Sequence, residues 1–313
     1  MEEENRTISK KLLVLDIILI TAIICMVFVI YGILNKSKTN RTDSYDQETS
    51  LKIFGDVELK AKSAYVFDVV KNEVLFKKNE FVQLPLASIT KLMTALTAVE
   101  LLPENSRITI RKEFLREEGD TGLLSGESWR LKDLLDFSLT VSSNDGARSV
   151  ASVIGAMNLD TEDYDLGRKD FVSKMNDKAR ELGLGQTYFT NETGLDNGVL
   201  SGGYGSAMDV GVLMKYILLN HSKILEATKY QQLEITSLGG KHIAKNTNID
   251  VNQIPGLLAS KTGYTEMAGG NLVVVFDSSI GRPIIVVVLG STLDGRFEDI
   301  SRLVRASLAY INQ

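Results

Sequence analysis

A serine and a lysine stand three residues apart in the apolar stretch LPLASITKLMTAL, which covers residues 84–96. The apolar residues recur at helical spacing, which places the Ser88 hydroxyl and the Lys91 amine on one side of a predicted helix. A serine hydroxyl becomes a strong nucleophile only when a base takes its proton, and a lysine is such a base only when it is neutral. Its reference pKa is about 10.4, and burial lowers it by up to about 3–5 units. The stretch therefore predicts a Ser88 nucleophile with an uncharged Lys91 as its general base.

The same residues also fit a structural interpretation, because S-x-x-K fixes only two positions and matches by chance are common. Ser88 would then cap a helix, and Lys91 would be an exposed charge whose stem lies along the surface. The other polar motifs of the chain decide between the two interpretations.

Two further motifs follow in the chain. TVSSNDGA, between two predicted helices, contains Ser142 and Asn144, and LASKTGYT, in a predicted strand, contains Lys261, Thr262 and Gly263. Each motif by itself fits helix capping, a turn or a strand end. In the order S-x-x-K, S-x-N and K-T-G, the three resemble the catalytic motifs of penicillin-binding proteins and serine β-lactamases. The positive charge of Lys261 is expected to act together with burial in keeping the first lysine neutral.

The composition excludes several other chemistries. The sole cysteine, Cys25, lies in an apolar N-terminal run, so the rest of the chain has no thiolate nucleophile, disulfide or thiolate metal site. The two histidines, His221 and His242, lack metal-ligand spacing and are expected at the surface. The net charge of −5 and the lack of basic clusters argue against nucleic-acid binding. The sequence therefore predicts no metal, no cofactor and no histidine base.

Hydrophobic periodicity predicts the elements that position these motifs. Strand-like segments lie near both ends of the predicted domain, at residues 63–69, 73–79, 256–265, 271–277 and 282–290. Helical segments lie between them, at residues 130–141, 144–157, 170–184 and 207–219, and an amphipathic helix follows at 296–311. We therefore predict an α/β fold in which N- and C-terminal strands pair in a mostly antiparallel sheet flanked by helices, with a largely α-helical subdomain. The ligand-binding cleft is expected where this subdomain meets the sheet.

An uncharged apolar run from Ile17 to Leu34 is long enough to cross the hydrocarbon core of a membrane. No small-residue cleavage site follows it, which favours an uncleaved anchor over a signal peptide. Basic residues flank both ends of the run, so the positive-inside rule does not decide its orientation. Residues 12–34 are predicted as a transmembrane anchor, 1–11 as a cytoplasmic tail, 35–54 as a linker and 55–313 as the catalytic domain.

From Ala61 to Ile311 the chain resembles the membrane-associated D-alanyl-D-alanine carboxypeptidases, the low-molecular-weight serine peptidases of the penicillin-binding class. The passages that carry the resemblance include LFKKNEFVQLPLASITKLMTAL, SGESWRLKDLLDFSLTVSSNDGA, FVSKMNDKARELGL, TNETGLD and KTGYTEMAGGNLVVV. The resemblance implies a β-lactamase/transpeptidase-like fold and removal of the terminal D-alanine from peptidoglycan stem peptides through an ester on Ser88. It also implies covalent inhibition by β-lactams, and a catalytic domain on the extracytoplasmic face of a bacterial cell membrane.

The resemblance and the chemistry of the motifs together assign the catalytic roles. Ser88 attacks the peptide carbonyl between the two D-alanines after Lys91 removes its proton. Ser142, helped by Lys261, relays a proton to the departing amine. Asn144 positions the substrate amide and holds the general base in place.

The remaining assignments concern the oxyanion and the substrate. The backbone N–H groups of Ser88 and Tyr264 are expected to form the oxyanion hole. The terminal carboxylate is assigned to Thr262 and Arg296, and the substrate-binding set is Lys261, Thr262, Gly263 and Arg296.

The chain departs from its expected relatives in two respects. Many of them carry a second, β-rich domain and a C-terminal amphipathic anchor, which this chain is expected to lack. The loop TNETGLD has Thr193 where relatives often have histidine, so this loop is assigned no catalytic role.

Three other functions remain as alternatives: a serine β-lactamase, a D,D-endopeptidase acting on cross-links, and a non-hydrolysing penicillin-binding sensor. Class A β-lactamases use a glutamate, in an E-x-x-L-N loop, to activate the water that clears the ester. The nearest match is Glu192 in ETGLDN, which differs in spacing by one residue. A long-lived penicillin adduct is therefore expected.

Overall fold

The structure is a computed structural model that describes residues 21, 24–26, 28, 53–119 and 121–313. The chain divides into two units, residues 1–55 and 56–313. The predicted cytoplasmic tail, and most of the predicted membrane anchor and linker, lie outside the described residues. No helix in the described part of the chain is long and apolar enough to cross a membrane. The domain boundaries proposed from the sequence stay predictions.

The second unit contains strands and α-helices that are numbered here in chain order. The strands are β1 (Ser63–Asp68), β2 (Glu73–Lys78), β3 (Leu84–Pro85), β4 (Arg107–Thr109), β5 (Ser128–Arg130), β6 (Tyr188–Phe189), β7 (Gly203–Gly205), β8 (Gln232–Thr236), β9 (Lys241–Lys245), β10 (Leu257–Thr265), β11 (Gly269–Asp277) and β12 (Pro283–Ser291). The helices are α1 (Lys91–Leu101), α2 (Leu131–Thr140), α3 (Asn144–Asn158), α4 (Tyr164–Glu181), α5 (Ala207–Asn220) and α6 (Gly295–Ile311).

Five of these strands form one antiparallel sheet, in the order β10-β11-β12-β1-β2. Val66 on β1 pairs with Val286 on β12, so strands from the two ends of the domain meet inside the sheet. The inner residues of β11 and β12 are buried on both faces, and their sequences are accordingly almost continuous apolar runs. The predicted pairing of N- and C-terminal strands in an antiparallel sheet is confirmed.

Helix α1 forms the centre of the helical subdomain. All of its residues from Lys91 to Ala98 are buried, and apart from the lysine and two threonines they are apolar. A helix that is apolar on all sides lies in a core rather than at a surface. The predicted helical subdomain is thus present, and it surrounds the segment that carries the S-x-x-K motif.

Helix α4 begins earlier than its apolar periodicity predicts. The prediction started at Asp170, whereas the helix starts at Tyr164. The Asp163 side chain accepts hydrogen bonds from the N–H groups of Asp165 and Leu166 and so caps the helix. The only aliphatic side chain of the first turn, Leu166, is exposed, so hydrophobic spacing does not reveal this turn.

Helices α3 and α4 contact each other through glycine. A Cβ added at Gly155 would overlap the carbonyl oxygen of Gly167, so the two backbones touch where both residues lack a side chain. The close approach requires glycine because of space, not because of backbone conformation.

The substitution Gly155→Ala is expected to destabilise the protein by about 1–3 kcal/mol, because the added methyl group forces the two helices apart. The midpoint of urea unfolding measures this loss. Gly185→Ala is the matched control, since a Cβ at Gly185 meets no heavy atom within 4 Å. Equal midpoints for the two variants would contradict the packing described for α3 and α4.

Candidate active site

The three motifs meet at the boundary between the helical subdomain and the sheet. The subdomain supplies the S-x-x-K turn and the loop between α2 and α3, whereas β10, at one edge of the sheet, supplies Lys261, Thr262 and Gly263. Arg296 follows from the first turn of α6, which packs on the same sheet. The predicted site residues therefore come together where the cleft was expected.

Ser88 lies in a short 3-10 helix, Ala87–Thr90, that runs directly into α1. The single helix predicted to carry both Ser88 and Lys91 is wrong in this detail, because the α-helix starts only at Lys91. Ala87 has a φ of 49°, a left-handed conformation that is strained for a residue with a side chain. The other three residues of the turn are buried, whereas Ser88 is partly exposed. The turn thus presents the hydroxyl to an incoming substrate.

Lys91 is only 2% exposed, and its amine has three close partners. Its Nζ lies 2.9 Å from Ser88 Oγ, 2.6 Å from Asn144 Oδ1 and 2.7 Å from the carbonyl oxygen of Thr193. The last two partners only accept hydrogen bonds, and a neutral amine has two N–H bonds. When neutral, the amine donates to both and keeps its lone pair for the Ser88 hydroxyl. The arrangement fits the predicted general base.

Burial lowers the pKa of Lys91 to about 7, while the negative charges of Glu192 and Glu117 act in the opposite direction. Burial also lowers the pKa of Lys261 well below its ordinary value, and there the positive charges of Lys91 and Arg296 act in the same direction. The sequence predicted that burial and the positive charge of Lys261 together keep Lys91 neutral. In the structure, burial is the main cause of the lowered pKa of both amines.

The second motif holds both lysines. Lys261 Nζ donates to Ser142 Oγ at 2.9 Å and to the Thr262 carbonyl oxygen at 2.7 Å. Ser142 has a φ of 62°, a strained conformation that sets the direction of its hydroxyl. Asn144 uses its oxygen for Lys91 and donates from Nδ2 to the carbonyl oxygen of Glu118 at 2.6 Å. Both ends of this amide are therefore fixed.

Gly263 allows β10 to approach the turn that carries the nucleophile. A Cβ at this position would lie 2.8 Å from the carbonyl oxygen of Leu86 and 3.2 Å from the backbone nitrogen of Ser88. The backbone leading to Tyr264 is thus next to the Ser88 N–H. Two backbone donors on facing segments are what an oxyanion hole requires.

The expected carboxylate-binding residues lie on the sheet side of the site. Arg296 is 7% exposed and donates from Nη1 to the Gly263 carbonyl oxygen at 2.7 Å. Thr262 Oγ1 lies 2.6 Å from Thr247 Oγ1. Nothing in the sequence motifs pointed to Thr247, which precedes the K-T-G strand in a separate loop.

The TNETGLD loop also belongs to the site, although no catalytic role was predicted for it. Thr193 takes part through its carbonyl oxygen, which residue type does not reveal. Glu192 is fully buried, and Arg168 Nε on α4 lies 2.8 Å from both of its carboxylate oxygens. A cavity of about 790 Å³ opens beside this loop, and Glu118, Arg168 and Thr193 are among its lining residues.

The two histidines lie outside this cluster. His221 is partly exposed, but the expectation of a surface position was wrong for His242, whose side chain is 12% exposed. Its Nε2 lies 2.6 Å from Glu127 Oε1, and its ring packs 4.7 Å from that of Trp129. No group of three or more His, Cys, Asp or Glu side chains in the described ranges could hold a metal ion.

Comparison with known families and proteins gives consistent matches. The Peptidase S11 family model, described as D-alanyl-D-alanine carboxypeptidase, matches residues 50–292. The D-alanyl-D-alanine carboxypeptidase DacF of Bacillus subtilis is 30% identical over 251 residues, which cover 78% of this chain and 61% of that protein. The chain therefore matches less than two thirds of this relative. A D-alanyl-D-alanine endopeptidase of Haemophilus influenzae is 33% identical over 225 residues, covering 69% of this chain and 70% of that protein.

Solved structures show the same fold. A D-alanyl-D-alanine carboxypeptidase from Mycobacterium tuberculosis superposes with a TM-score of 0.69 at 27% identity, over 80% of this chain and 92% of that one. Penicillin-Binding Protein D2 from Listeria monocytogenes, in its ampicillin-bound form, gives a TM-score of 0.67 at 28% identity, over 80% of this chain and 98% of that one. The DD-transpeptidase of Streptomyces K15 matches with a TM-score of 0.73 at 24% identity, which supports the transpeptidase-like fold alone.

Proposed function

We propose that this chain, which belongs to the Peptidase S11 family of D-alanyl-D-alanine carboxypeptidases, removes the terminal D-alanine from peptidoglycan stem peptides. The observation that carries the proposal is the 2.9 Å contact between the Nζ of the buried Lys91 and the Oγ of the partly exposed Ser88. The amine has acceptors for both of its hydrogens, so its lone pair is directed to the serine hydroxyl.

The first chemical step is formation of an ester. Lys91 accepts the hydroxyl proton of Ser88, and the serine oxygen attacks the carbonyl carbon between the two D-alanines. The negative charge that develops on the carbonyl oxygen is stabilised by the backbone N–H groups of Ser88 and Tyr264. Each such donor is worth about 10²–10³ in rate.

Breaking the peptide bond requires a proton for the departing amine. Ser142 relays it: the Ser142 hydroxyl proton passes to the departing nitrogen, and the proton that Lys91 took from Ser88 replaces it, so that Lys91 is neutral again. Lys261 donates to the Ser142 oxygen at 2.9 Å and stabilises that oxygen during the transfer. The terminal D-alanine then leaves with its carboxylate, which Thr262 and Arg296 hold in the bound state. Water hydrolyses the remaining ester and releases the shortened peptide.

β-Lactams are proposed to acylate the same serine. The Listeria relative has been solved in ampicillin-bound and cefotaxime-bound forms, and its fold is shared by this chain. We further propose that the apolar run from Ile17 to Leu34 anchors the protein in the cell membrane, with the catalytic domain on the extracytoplasmic side where peptidoglycan lies.

A D,D-endopeptidase that cleaves cross-links is the second candidate, because relatives named D-alanyl-D-alanine endopeptidase match at 31–33% identity. Both reactions break a bond on the carboxyl side of a D-alanine through the same ester. They differ in whether the departing amine belongs to a free D-alanine or to a second peptide.

The test is to incubate the purified protein with a pentapeptide-bearing muropeptide and with a cross-linked muropeptide dimer, and to identify the products by mass spectrometry. We expect the pentapeptide to lose one alanine residue while the dimer stays intact. Cleavage of the dimer alone would favour the endopeptidase. Uptake of one equivalent of penicillin without any product from either peptide would favour a sensor. A Ser88→Ala variant serves as the inactive control.

A further inference from the structure

The negative charges of two carboxylates raise the pKa of Lys91, the proposed general base, and each carboxylate is paired with an arginine. Glu192 lies next to Thr193, whose carbonyl oxygen accepts a hydrogen bond from Lys91. The Glu192 carboxylate is fully buried and has Arg168 Nε 2.8 Å from both oxygens. The second carboxylate, on Glu117, forms an ion pair with Arg148 of α3.

Charged groups lie on the segments whose residues contact Lys91. Next to Asn144, the buried carboxylate of Asp145 accepts a hydrogen bond from the Glu117 N–H. Glu192 lies on the TNETGLD loop and Glu117 on the segment before Glu118, whose carbonyl oxygen holds Asn144. The cation on the sheet side is Lys261. Outside this group, Arg148 also lies 3.7 Å from the exposed carboxylate of Asp165.

An unpaired carboxylate in this pocket would favour a protonated Lys91. Charges interact more strongly in a buried site than in water, and a nearby negative charge stabilises an ammonium. A neutral amine is what the reaction needs, so both carboxylates oppose it. Each carboxylate pairs with its own arginine, and the positive charge of that arginine offsets the effect of the carboxylate on Lys91.

We propose that Arg168 shields Lys91 from the charge of Glu192, and that this shielding keeps the amine able to take the Ser88 proton at neutral pH. The inference rests on the proposed function, because it assumes that Lys91 is the base. Arg168 is then a positioning residue: it acts on the reaction through Glu192 and does not touch the substrate.

The decisive measurement is the pH dependence of the rate constant for acylation by a fluorescent penicillin. In the wild type, the rate rises with pH around 7, because the amine must lose its proton and burial sets its pKa to about 7. In Arg168→Gln the freed charge of Glu192 stabilises the ammonium. We expect this rise to move to higher pH by about 1–3 units. Each unit lowers the rate below the transition about tenfold, and the rates of variant and wild type converge at high pH.

Four further variants make the result specific. Glu192→Gln removes the charge itself, so its transition is expected at lower pH, and the double variant Arg168→Gln/Glu192→Gln should show no upward shift. Arg168→Lys keeps a cation and should give an intermediate transition. Arg180→Gln is the matched control, since Arg180 lies on the same helix with its side chain 72% exposed, and it should leave the profile unchanged.

The outcomes separate the inference from the proposed function. An Arg168→Gln profile that coincides with the wild type overturns the shielding by Arg168. A rate reduced by the same factor at every pH also overturns it, because that result indicates a purely structural role. If the wild-type protein itself neither reacts with penicillin nor releases D-alanine, the proposed function fails instead.

Discussion

Replacing Lys91 with methionine is expected to slow the acylation of Ser88 by penicillin by about 10²–10⁴-fold, the usual contribution of a positioned general base. Methionine keeps much of the length of the lysine stem but has no amine. Its sulfur cannot take the proton of a hydroxyl that lies 2.9 Å from the amine in the native site. The rate of labelling by a fluorescent penicillin, followed by gel electrophoresis over time, measures the loss.

Two controls accompany this variant. Lys223→Met removes a lysine whose side chain is 68% exposed, and it should label at the wild-type rate. Ser88→Ala should not label at all. Thermal unfolding of each variant shows whether the fold is kept. Near-normal labelling of a folded Lys91→Met protein would contradict the base assignment, and Ser142 with Lys261 would then be the pair to examine.

The sequence predicted the parts of the site that depend on side-chain chemistry. Ser88, Lys91, Ser142, Asn144 and Lys261 were recognised because hydroxyls, amides and amines in that order belong to a known reaction, and the structure brings them together. The pairing of the terminal strands was predictable for a different reason, since alternating or continuous apolar runs indicate which segments are buried in a sheet.

The parts that the sequence missed depend on the backbone. The carbonyl oxygens of Thr193 and Glu118 hold Lys91 and Asn144, yet every residue has a carbonyl oxygen and its direction is set only by the folded loop. The left-handed conformations of Ala87 and Ser142 could likewise not be predicted from residue type, because neither residue is a glycine, the residue that usually adopts this conformation. Tertiary contacts impose these conformations, and local propensity does not predict them.

The ion pair between Arg168 and Glu192 illustrates the same limit. The sequence shows both residues, and Glu192 is the nearest match to the catalytic glutamate of β-lactamases, but their contact could not be predicted. Their contact joins a helix to a loop that lies 24 residues away in the chain, and no local pattern encodes it. The structure shows that the carboxylate is buried and bound, which changes the chemistry that can be expected of it.

The second large effect concerns the lifetime of the penicillin ester, which we expect to be long. Rapid hydrolysis in class A β-lactamases requires a glutamate that activates water. The nearest match in this chain, Glu192, is fully buried with both carboxylate oxygens within 2.8 Å of Arg168 Nε. A carboxylate held in this way is unsuited to bind and activate a water molecule at the Ser88 ester. Nitrocefin should therefore give a burst of colour equal to one equivalent of protein, followed by very slow turnover.

The variant Glu192→Gln separates this explanation from a hidden role of the carboxylate in hydrolysis. If Glu192 does not activate water, the glutamine variant has the same slow turnover after its burst, measured at a pH where its acylation is complete. Slower turnover in this variant would show that the carboxylate does reach the water despite its arginine partner. Linear, rapid hydrolysis of nitrocefin by the wild type would instead contradict the carboxypeptidase proposal in favour of a β-lactamase. The ion pair between Arg168 and Glu192 thus affects both formation and hydrolysis of the ester. It shields Lys91 from the negative charge of Glu192, and it prevents the same carboxylate from activating water.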